Sequence, residues 1–275
     1  MSFTTADVVK LRKVTGAGMM DCKGALADAD GNFERAVEII REKGKLVANK
    51  RADRDAAEGV VLAKVSDDRK LGAMVVLNCE TDFVAKNENF VAFADSILNA
   101  ALANNADSLE TVKNLSLNGR SIEAQVTEQT GVIGEKIELS YYSKIDAETV
   151  VGYIHPGNKL ATLVGFNKPG LDIQLAKDVA MQVAAMAPVA VDKDFVSQEV
   201  IDKELAIAKE KFRLEGKPEA MLDKIAQGAL QKFFQESTLL NQTFVKDGKI
   251  TVKDYLSQNE KGLTVTAFDR YSLNV

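Results

Sequence analysis

The chain has 275 residues, of which 46% are hydrophobic and 27% charged, with only 4 prolines and a formal net charge of −5. This length predicts about two domains, and the composition is that of a soluble globular protein, which excludes the disordered and fibrous classes. The acidic balance disfavours a protein whose main role is to hold nucleic acid, because phosphate neutralisation requires clustered lysines and arginines.

Two features of the chain favour the cytoplasm. No apolar run approaches the roughly 18–20 residues that span a bilayer, and the N-terminal stretch MSFTTADVVKLRKV resembles neither a signal peptide nor a transit peptide. The two cysteines, Cys22 and Cys79, lie far apart and flank no metal-ligand spacing, which is typical of small buried residues in a reducing compartment. We therefore expect a cytoplasmic protein with no membrane segment, no metal site and no cofactor.

The first 50 residues predict a compact unit of three short helices. Apolar residues recur at helical spacing in three segments that are separated by glycine-containing turns. The first helix is predicted to begin at a cap on Thr4 or Thr5 and to end at Gly16. The second is predicted over about 19–29. The third is predicted to follow the turn at 30–32 and to end at a C-terminal cap on Gly44. We assign residues 1–50 to an N-terminal domain and the charged residues 51–57 to a linker.

An internal repeat occupies the middle of the chain. Residues 58–76, EGVVLAKVSDDRKLGAMVV, resemble residues 148–165, ETVVGYIHPGNKLATLVG, and each copy predicts two strands joined by a polar turn. An amphipathic helix follows each copy, and IGEKIELSYYSKID between them adds a strand. The repeat predicts an α+β fold with a core of two pseudo-repeated subdomains. The predicted subdomains are residues 58–145 for the first, and 146–192 with 237–275 for the second, so that the C-terminal segment returns to the second sheet.

Helical periodicity dominates residues 193–236, with a break at 216–218. The pattern predicts an antiparallel coiled-coil hairpin that is inserted into the second subdomain and projects from it. The apolar side chains expected to face one another are Val200, Leu205, Ala208 and Phe212 before the break, and Met221, Ile225, Leu230 and Phe233 after it.

Candidate enzyme chemistry is sparse in this chain. The single histidine, His155, lies in the predicted turn of the second repeat, and Cys79 is the candidate nucleophile that would pair with it. A Cys-His hydrolase is therefore the weaker alternative. Residues 152–160, GYIHPGNKL, approach a phosphate-binding loop, but Asn158 stands where that loop requires lysine, and the segment lies inside a hairpin.

Two surface features suit the binding of a protein. In the methionine turn (residues 16–20, GAGMM), Met19 and Met20 could present flexible side chains to a partner, and the alternative is that one or both pack inside the three-helix unit. In the stretch CETDFVAKNENF, Asp82 and Phe83 place a carboxylate beside a ring where a loop is expected. The alternative is that Phe83 anchors its own loop and Asp82 caps the following helix.

Two longer stretches carry a resemblance to a known family. LRKVTGAGMMDCKGAL at 11–26 and LNCETDFVAKNENF at 77–90 resemble two signatures of the bacterial elongation factor Ts family, and the resemblance extends over essentially the whole chain. It implies a ubiquitin-associated-like N-terminal domain, two core subdomains and a coiled-coil hairpin. It also implies a guanine-nucleotide exchange factor, not an enzyme, that binds elongation factor Tu in its GDP-bound and nucleotide-free forms, without direct nucleic-acid contact.

The resemblance further implies which residues contact the partner. In the wedge segment (residues 81–84), Phe83 would enter between two partner helices and help to dislodge magnesium. The resemblance implies that the contact residues of this segment are Thr81, Asp82, Phe83 and Val84. Arg12, Met19 and Met20 would contact a helix of the partner's GTP-binding domain, joined by Val245 in the motif FVKDG. His155 in the hairpin turn would be a further contact from the core.

Two expectations remain open at this point. Some family members continue beyond the position of Val275 into a further helix, so we expect the contacts of that module to be absent or replaced. The competing class of protein is an interaction module that recruits a partner without promoting nucleotide exchange.

Overall fold

A computed structural model describes residues 3–273 as a mixture of helices and antiparallel sheets. The N-terminal helices are α1 (Thr5–Thr15), α2 (Met19–Asp28) and α3 (Phe33–Lys50). They enclose a small core in which Leu11, Leu26 and Ala36 are fully buried. The structure thus confirms the three predicted helices.

Local sequence explains where α1 begins and ends. The Thr4 hydroxyl oxygen accepts a hydrogen bond from the Asp7 amide at 3.3 Å, and the Asp7 carboxylate accepts one from the Thr4 amide at 2.8 Å. This reciprocal capping box satisfies amide groups that a helix start otherwise leaves unpaired. Gly16 ends the helix with φ of 74°, a left-handed conformation that glycine adopts without steric cost.

The first half of the larger core follows. Its elements are β1 (Glu58–Val65), β2 (Leu71–Cys79), α4 (Asp82–Ala85), α5 (Glu88–Ala103), α6 (Leu109–Asn114), β3 (Ser116–Leu117), β4 (Arg120–Ser121), α7 (Ile122–Ile133) and β5 (Glu138–Asp146). Strands β1, β2 and β5 form an antiparallel sheet in that order, with Val60 opposite Leu77. Helix α5 covers one face of this sheet and buries Ile97 and Leu98 against it.

The second half repeats this pattern of strand, turn, strand and helix. Its elements are β6 (Thr149–Ile154), β7 (Leu160–Phe166), α8 (Ile173–Met186), α9 (Gln198–Leu214), α10 (Glu219–Ser237), β8 (Thr243–Phe244), β9 (Asp247–Thr251), α11 (Val252–Asn259) and β10 (Val265–Ser272). The antiparallel sheet has the order β10-β7-β6, so the C-terminal segment returns to it as expected. Helix α8 packs on this sheet as α5 packs on the first.

The two three-stranded sheets pack against each other. Val61 and Met74 from the first sheet share a buried cluster with Val150 and Leu163 from the second. The approach is close, because a Cβ atom on Gly72 would lie 2.6 Å from Cγ1 of Val150. Strands β1 and β2 are therefore buried on both faces, which explains their nearly continuous apolar sequence.

The predicted C-terminal cap at Gly44 is wrong. Helix α3 continues through Gly44 to Lys50, and Gly44 lies where α3 crosses α7. A Cβ atom on Gly131 of α7 would lie only 2.2 Å from the Gly44 Cα atom. The missing side chain of Gly131 allows α7 to approach α3 closely at Gly44, and such a long-range contact leaves no local signal in the sequence.

Helices α9 and α10 are joined by a short turn and pack along each other. Ion pairs join Lys209 to Asp223 at 2.5 Å and Arg213 to Glu219 at 2.8 Å, so the two helices run in opposite directions. The predicted inward position of Met221 is wrong, because 49% of its surface is exposed. Its neighbour Leu222 is buried instead. Coiled-coil packing of this pair remains a prediction.

Candidate partner-binding surface

The wedge segment presents an aromatic ring to solvent. Phe83 lies on the single turn α4, directly after the buried strand β2, and 83% of its surface is exposed. Ala85 is buried, and Val84 packs on the apolar cluster between the first sheet and α5, so the turn is attached to the protein through its other side. The alternative in which Phe83 anchors its own loop is therefore wrong.

Thr81 and Asp82 have separate roles at the start of α4. The Thr81 hydroxyl oxygen is the helix cap and accepts a hydrogen bond from the Val84 amide at 3.4 Å. The Asp82 carboxylate instead accepts from the Lys86 ammonium group at 2.6 Å, so the expectation that Asp82 caps the following helix is wrong. The hydrogen bond from Lys86, with a smaller electrostatic effect of Lys159, holds the pKa of Asp82 below its ordinary value. Asp82 is therefore a carboxylate at neutral pH.

Two glutamates that the sequence analysis did not single out hold the base of the wedge segment. The Glu135 carboxylate accepts hydrogen bonds from the amide and hydroxyl groups of Thr81, at 3.0 and 2.7 Å. The Glu80 carboxylate accepts from the Lys136 amide at 2.6 Å and from the Arg51 guanidinium at 2.8 Å. The contacts of Thr81 with Glu135 and of Glu80 with Lys136 span 54 and 56 residues, and that of Arg51 with Glu80 spans 29, so no local spacing could have predicted them.

The methionine turn lies across a groove from the wedge segment. Gly16 and Val84 line the same cavity of about 350 Å³, together with residues of α5 and α7. Met20 is 76% exposed, and Met19 is partly exposed. Neither methionine is buried, so the alternative that one or both pack inside the three-helix unit is wrong. Arg12, one turn before the end of α1, is also exposed.

His155 lies in the second half of the core. It is exposed in the histidine turn (residues 155–159) between β6 and β7, and its Nδ1 atom lies 2.9 Å from the Tyr153 hydroxyl. Lys159 of this turn forms an ion pair with Glu58 at 2.7 Å, and Glu58 lies opposite Cys79, two residues before the wedge segment. The structure thus brings the histidine turn near the wedge segment.

Val245 belongs to a different part of the fold. It is half-exposed in the turn between β8 and β9, and its amide donates a hydrogen bond to the Gln182 side-chain oxygen at 2.8 Å. Gln182 is a buried residue of α8. Val245 is therefore accessible to a partner, in the second half of the core.

Cys79 is unsuited to nucleophilic catalysis. It is fully buried, and its thiol donates a hydrogen bond to the Thr81 carbonyl at 3.2 Å. Burial, and then the charge of Glu135, raise the pKa of the Cys79 thiol to about 12, whereas an activated nucleophile requires a lowered pKa. These properties disfavour the Cys-His hydrolase. Residues 3–273 contain no group of three or more His, Cys, Asp or Glu side chains arranged to hold a metal ion.

Comparison with known proteins identifies the family of the chain. Residues 80–274 match the family model described as Elongation factor TS. The chain is also 52% identical over 275 residues to elongation factor Ts of Porphyromonas gingivalis, which covers 100% of this chain and 99% of the relative. The chain belongs to the elongation factor Ts family.

Other elongation factor Ts relatives match over nearly the same extent. The protein of Azobacteroides pseudotrichonymphae is 49% identical over 275 residues, with 100% of both chains covered. That of Christiangramia forsetii is 51% identical over 272 residues, with 98% of each chain covered. These matches include the N-terminal helices, which lie outside the part that the elongation factor Ts family model covers.

Within residues 3–273, no helix combines the length and the apolar character needed to cross a membrane.

Proposed function

We propose that this protein is a guanine-nucleotide exchange factor that binds elongation factor Tu in the cytoplasm, accelerates GDP release and allows GTP to load. The exposed ring of Phe83, held on a capped turn at the end of a core strand, carries this proposal together with the family membership. An exchange factor breaks no covalent bond, so it requires no catalytic nucleophile and no cofactor of its own.

Linkage sets the energy that the complex must supply. An exchange factor binds nucleotide-free elongation factor Tu more tightly than the GDP-bound form, and GDP affinity falls by the same factor. A ten-thousandfold weakening of GDP corresponds to about 5.5 kcal/mol. Burial of one phenylalanine contributes only about 1.5–3 kcal/mol. Phe83 therefore needs additional contacts, which we assign to the methionine turn and the histidine turn.

We assign displacement of magnesium to the wedge segment. Entry of Phe83 between two helices of elongation factor Tu brings the ionised Asp82 carboxylate with it. That carboxylate repels acidic groups of the magnesium site or rearranges their hydrogen bonds. Loss of the cation removes the largest positive charge that holds the nucleotide phosphates, so GDP leaves faster.

The remaining predicted contacts complete the proposal. Arg12, Met19 and Met20 dock the N-terminal unit, as a ubiquitin-associated-like domain, on the GTP-binding domain of elongation factor Tu. His155 and Val245 contact it from the two core subdomains. The α9–α10 pair is a coiled-coil hairpin that projects from the second subdomain. The net charge of −5 favours a protein partner over direct binding of nucleic acid.

Release of fluorescent GDP from elongation factor Tu, followed with and without this protein, tests the exchange function. We expect faster release with the protein present, and a smaller acceleration when a chelator has already removed magnesium. A protein that binds elongation factor Tu but leaves the release rate unchanged is an adaptor, and this result would refute the proposal. An acceleration that is equally large without magnesium would refute the assigned role in magnesium displacement.

A further inference from the structure

The base of the wedge segment is held by a reciprocal exchange of hydrogen bonds between two chain connections. In the connection from β2 to α4, the Thr81 amide donates to the Glu135 carboxylate at 3.0 Å. In the connection from α7 to β5, the Lys136 amide donates to the Glu80 carboxylate at 2.6 Å. Each glutamate thus bonds the backbone of the other connection, which fixes the position of the two connections relative to each other.

Glu135 also determines the direction in which Thr81 caps α4. The Thr81 hydroxyl has one proton, which it donates to Glu135 at 2.7 Å. The hydroxyl oxygen consequently directs a lone pair to the Val84 amide, which donates to it at 3.4 Å. Helix α4 has four residues, and a helix this short is unstable without such external contacts. The orientation of the turn that carries Phe83 therefore depends on Glu135.

The hydrogen bonds of Glu135 serve the wedge segment and not the adjacent sheet. Glu135 follows Gly134, the left-handed residue that ends α7, and its side chain is half-buried. Within residues 3–273, the Glu135 carboxylate accepts two hydrogen bonds, both from Thr81. Placing a carboxylate in this half-buried position is unfavourable unless it is hydrogen-bonded. Two bonds to an ionised acceptor offset that cost and fix Thr81 more firmly than neutral acceptors would.

We propose that Glu135 is a positioning residue that holds the wedge segment in its binding orientation before the partner arrives. This inference rests on the proposed exchange function. A side chain that is already oriented enters the partner without the entropy cost of being ordered during binding. Phe83 projects into solvent and has few contacts of its own, so its orientation comes from the backbone below it. Glu80 supports the same base through Lys136 and through Arg51, the residue that ends α3.

Loss of Glu135 should affect nucleotide release more than docking. The methionine turn and the histidine turn lie on other elements and do not depend on the Thr81 cap. The partner should therefore still associate with the protein when the wedge segment is loosely held. The maximal rate of GDP release should fall, because the ring reaches its site in a smaller fraction of the complexes.

The test measures GDP release from elongation factor Tu over a range of factor concentrations for Glu135→Ala, Glu135→Gln and the control Glu138→Ala. Glu138 is an exposed glutamate that begins β5, three residues after Glu135. We expect Glu135→Ala to lower the maximal rate about tenfold, with little change in the half-saturating concentration. Glu135→Gln should recover much of the rate, because its amide oxygen still accepts from Thr81. Glu138→Ala should match the unmodified protein.

A second measurement needs no partner. Amide hydrogen exchange should become faster at residues 82–86 in Glu135→Ala and stay unchanged in β2 and β5. Unchanged exchange at 82–86 together with an unchanged maximal rate would overturn the positioning role. So would a loss of protection throughout the fold that Glu135→Gln does not reverse. If the unmodified protein fails to accelerate GDP release, the exchange function is wrong, while the hydrogen-exchange comparison still tests Glu135.

Discussion

Replacing Gly131 with alanine should force α3 away from α7, whereas the same replacement at Gly44 should be tolerated. A Cβ atom on Gly131 would lie 2.2 Å from the Gly44 Cα atom, which belongs to a backbone that cannot rotate out of the way. A Cβ atom on Gly44 would lie 3.6 Å from the Gly131 Cα atom, an ordinary contact. Because non-bonded carbon atoms rest about 3.5–4.0 Å apart, Gly131→Ala requires the helices to separate by more than about 1 Å.

Two opposing effects set the expected magnitudes. Alanine in a helix interior is more favourable than glycine by about 0.5–1 kcal/mol, so Gly44→Ala should raise the free energy of unfolding by that amount. Gly131→Ala has the same gain, but overpacking costs about 1–3 kcal/mol. Since the clash is between backbones, we expect a net loss of about 1–2 kcal/mol for Gly131→Ala. The two variants should therefore change stability in opposite directions.

Urea unfolding followed by circular dichroism measures this difference, and amide hydrogen exchange locates it. Gly228→Ala in α10 is the matched control, because a Cβ atom there meets no atom within 4 Å, and it should stabilise the protein as Gly44→Ala does. Amide hydrogen exchange in α3 should become faster in Gly131→Ala but not in Gly44→Ala or Gly228→Ala. If Gly131→Ala is as stable as Gly44→Ala and exchange in α3 is unchanged, the close crossing is not a real constraint on the fold.

Three further predictions concern the proposed binding surface and its support. Met20→Ser should weaken association with elongation factor Tu, as measured by calorimetry, and leave the unfolding free energy unchanged, because Met20 is exposed; equal affinity would remove its docking role. Folded protein should resist iodoacetamide at Cys79, whose thiol pKa is raised to about 12 by burial, and alkylation at the rate of an unfolded control would contradict that environment. The hydrogen bond from the Lys136 amide lowers the pKa of Glu80 below its ordinary 4.5, so Glu80 stabilises the protein above that pH and loses this effect as pH falls through the lowered value. Glu80→Gln should accordingly be less stable than the unmodified protein at pH 7, and the two should converge in acid; a gap that stays constant with pH would exclude this linkage.

Periodicity in the sequence was sufficient to predict the helices and strands but not the contacts between them. The duplicated strands and the two amphipathic helices have strong local patterns, and the structure contains them. The continuation of α3 through Gly44 could not be predicted, because a glycine near a helix end usually marks a cap and its partner Gly131 is distant in sequence. A similar ambiguity placed Met221 inward, since Leu222 beside it fits the apolar stripe equally well.

The candidate site likewise has features that the local sequence predicts and features that depend on tertiary contacts. The stretch around Asp82 and Phe83 stands out in the sequence as an acid and a ring in a loop, but exposure of the ring depends on how Val84 and Ala85 pack below it. The bond between Thr81 and Glu135 spans 54 residues and has no local signature. Local patterns therefore identify which residues to examine, and tertiary packing decides which of them a partner can reach.

Stopped-flow release of labelled GDP from elongation factor Tu, with Phe83→Ala compared with Phe195→Ala, tests the central claim most directly. Both phenylalanines are exposed, at 83% and 70%, so neither change should disturb the core. Loss of about 1.5–3 kcal/mol of ring burial predicts that Phe83→Ala stimulates release about ten- to a hundredfold less than the unmodified protein. Phe195→Ala should stimulate release normally. Full stimulation by Phe83→Ala, or an equal loss in both variants, would contradict the account.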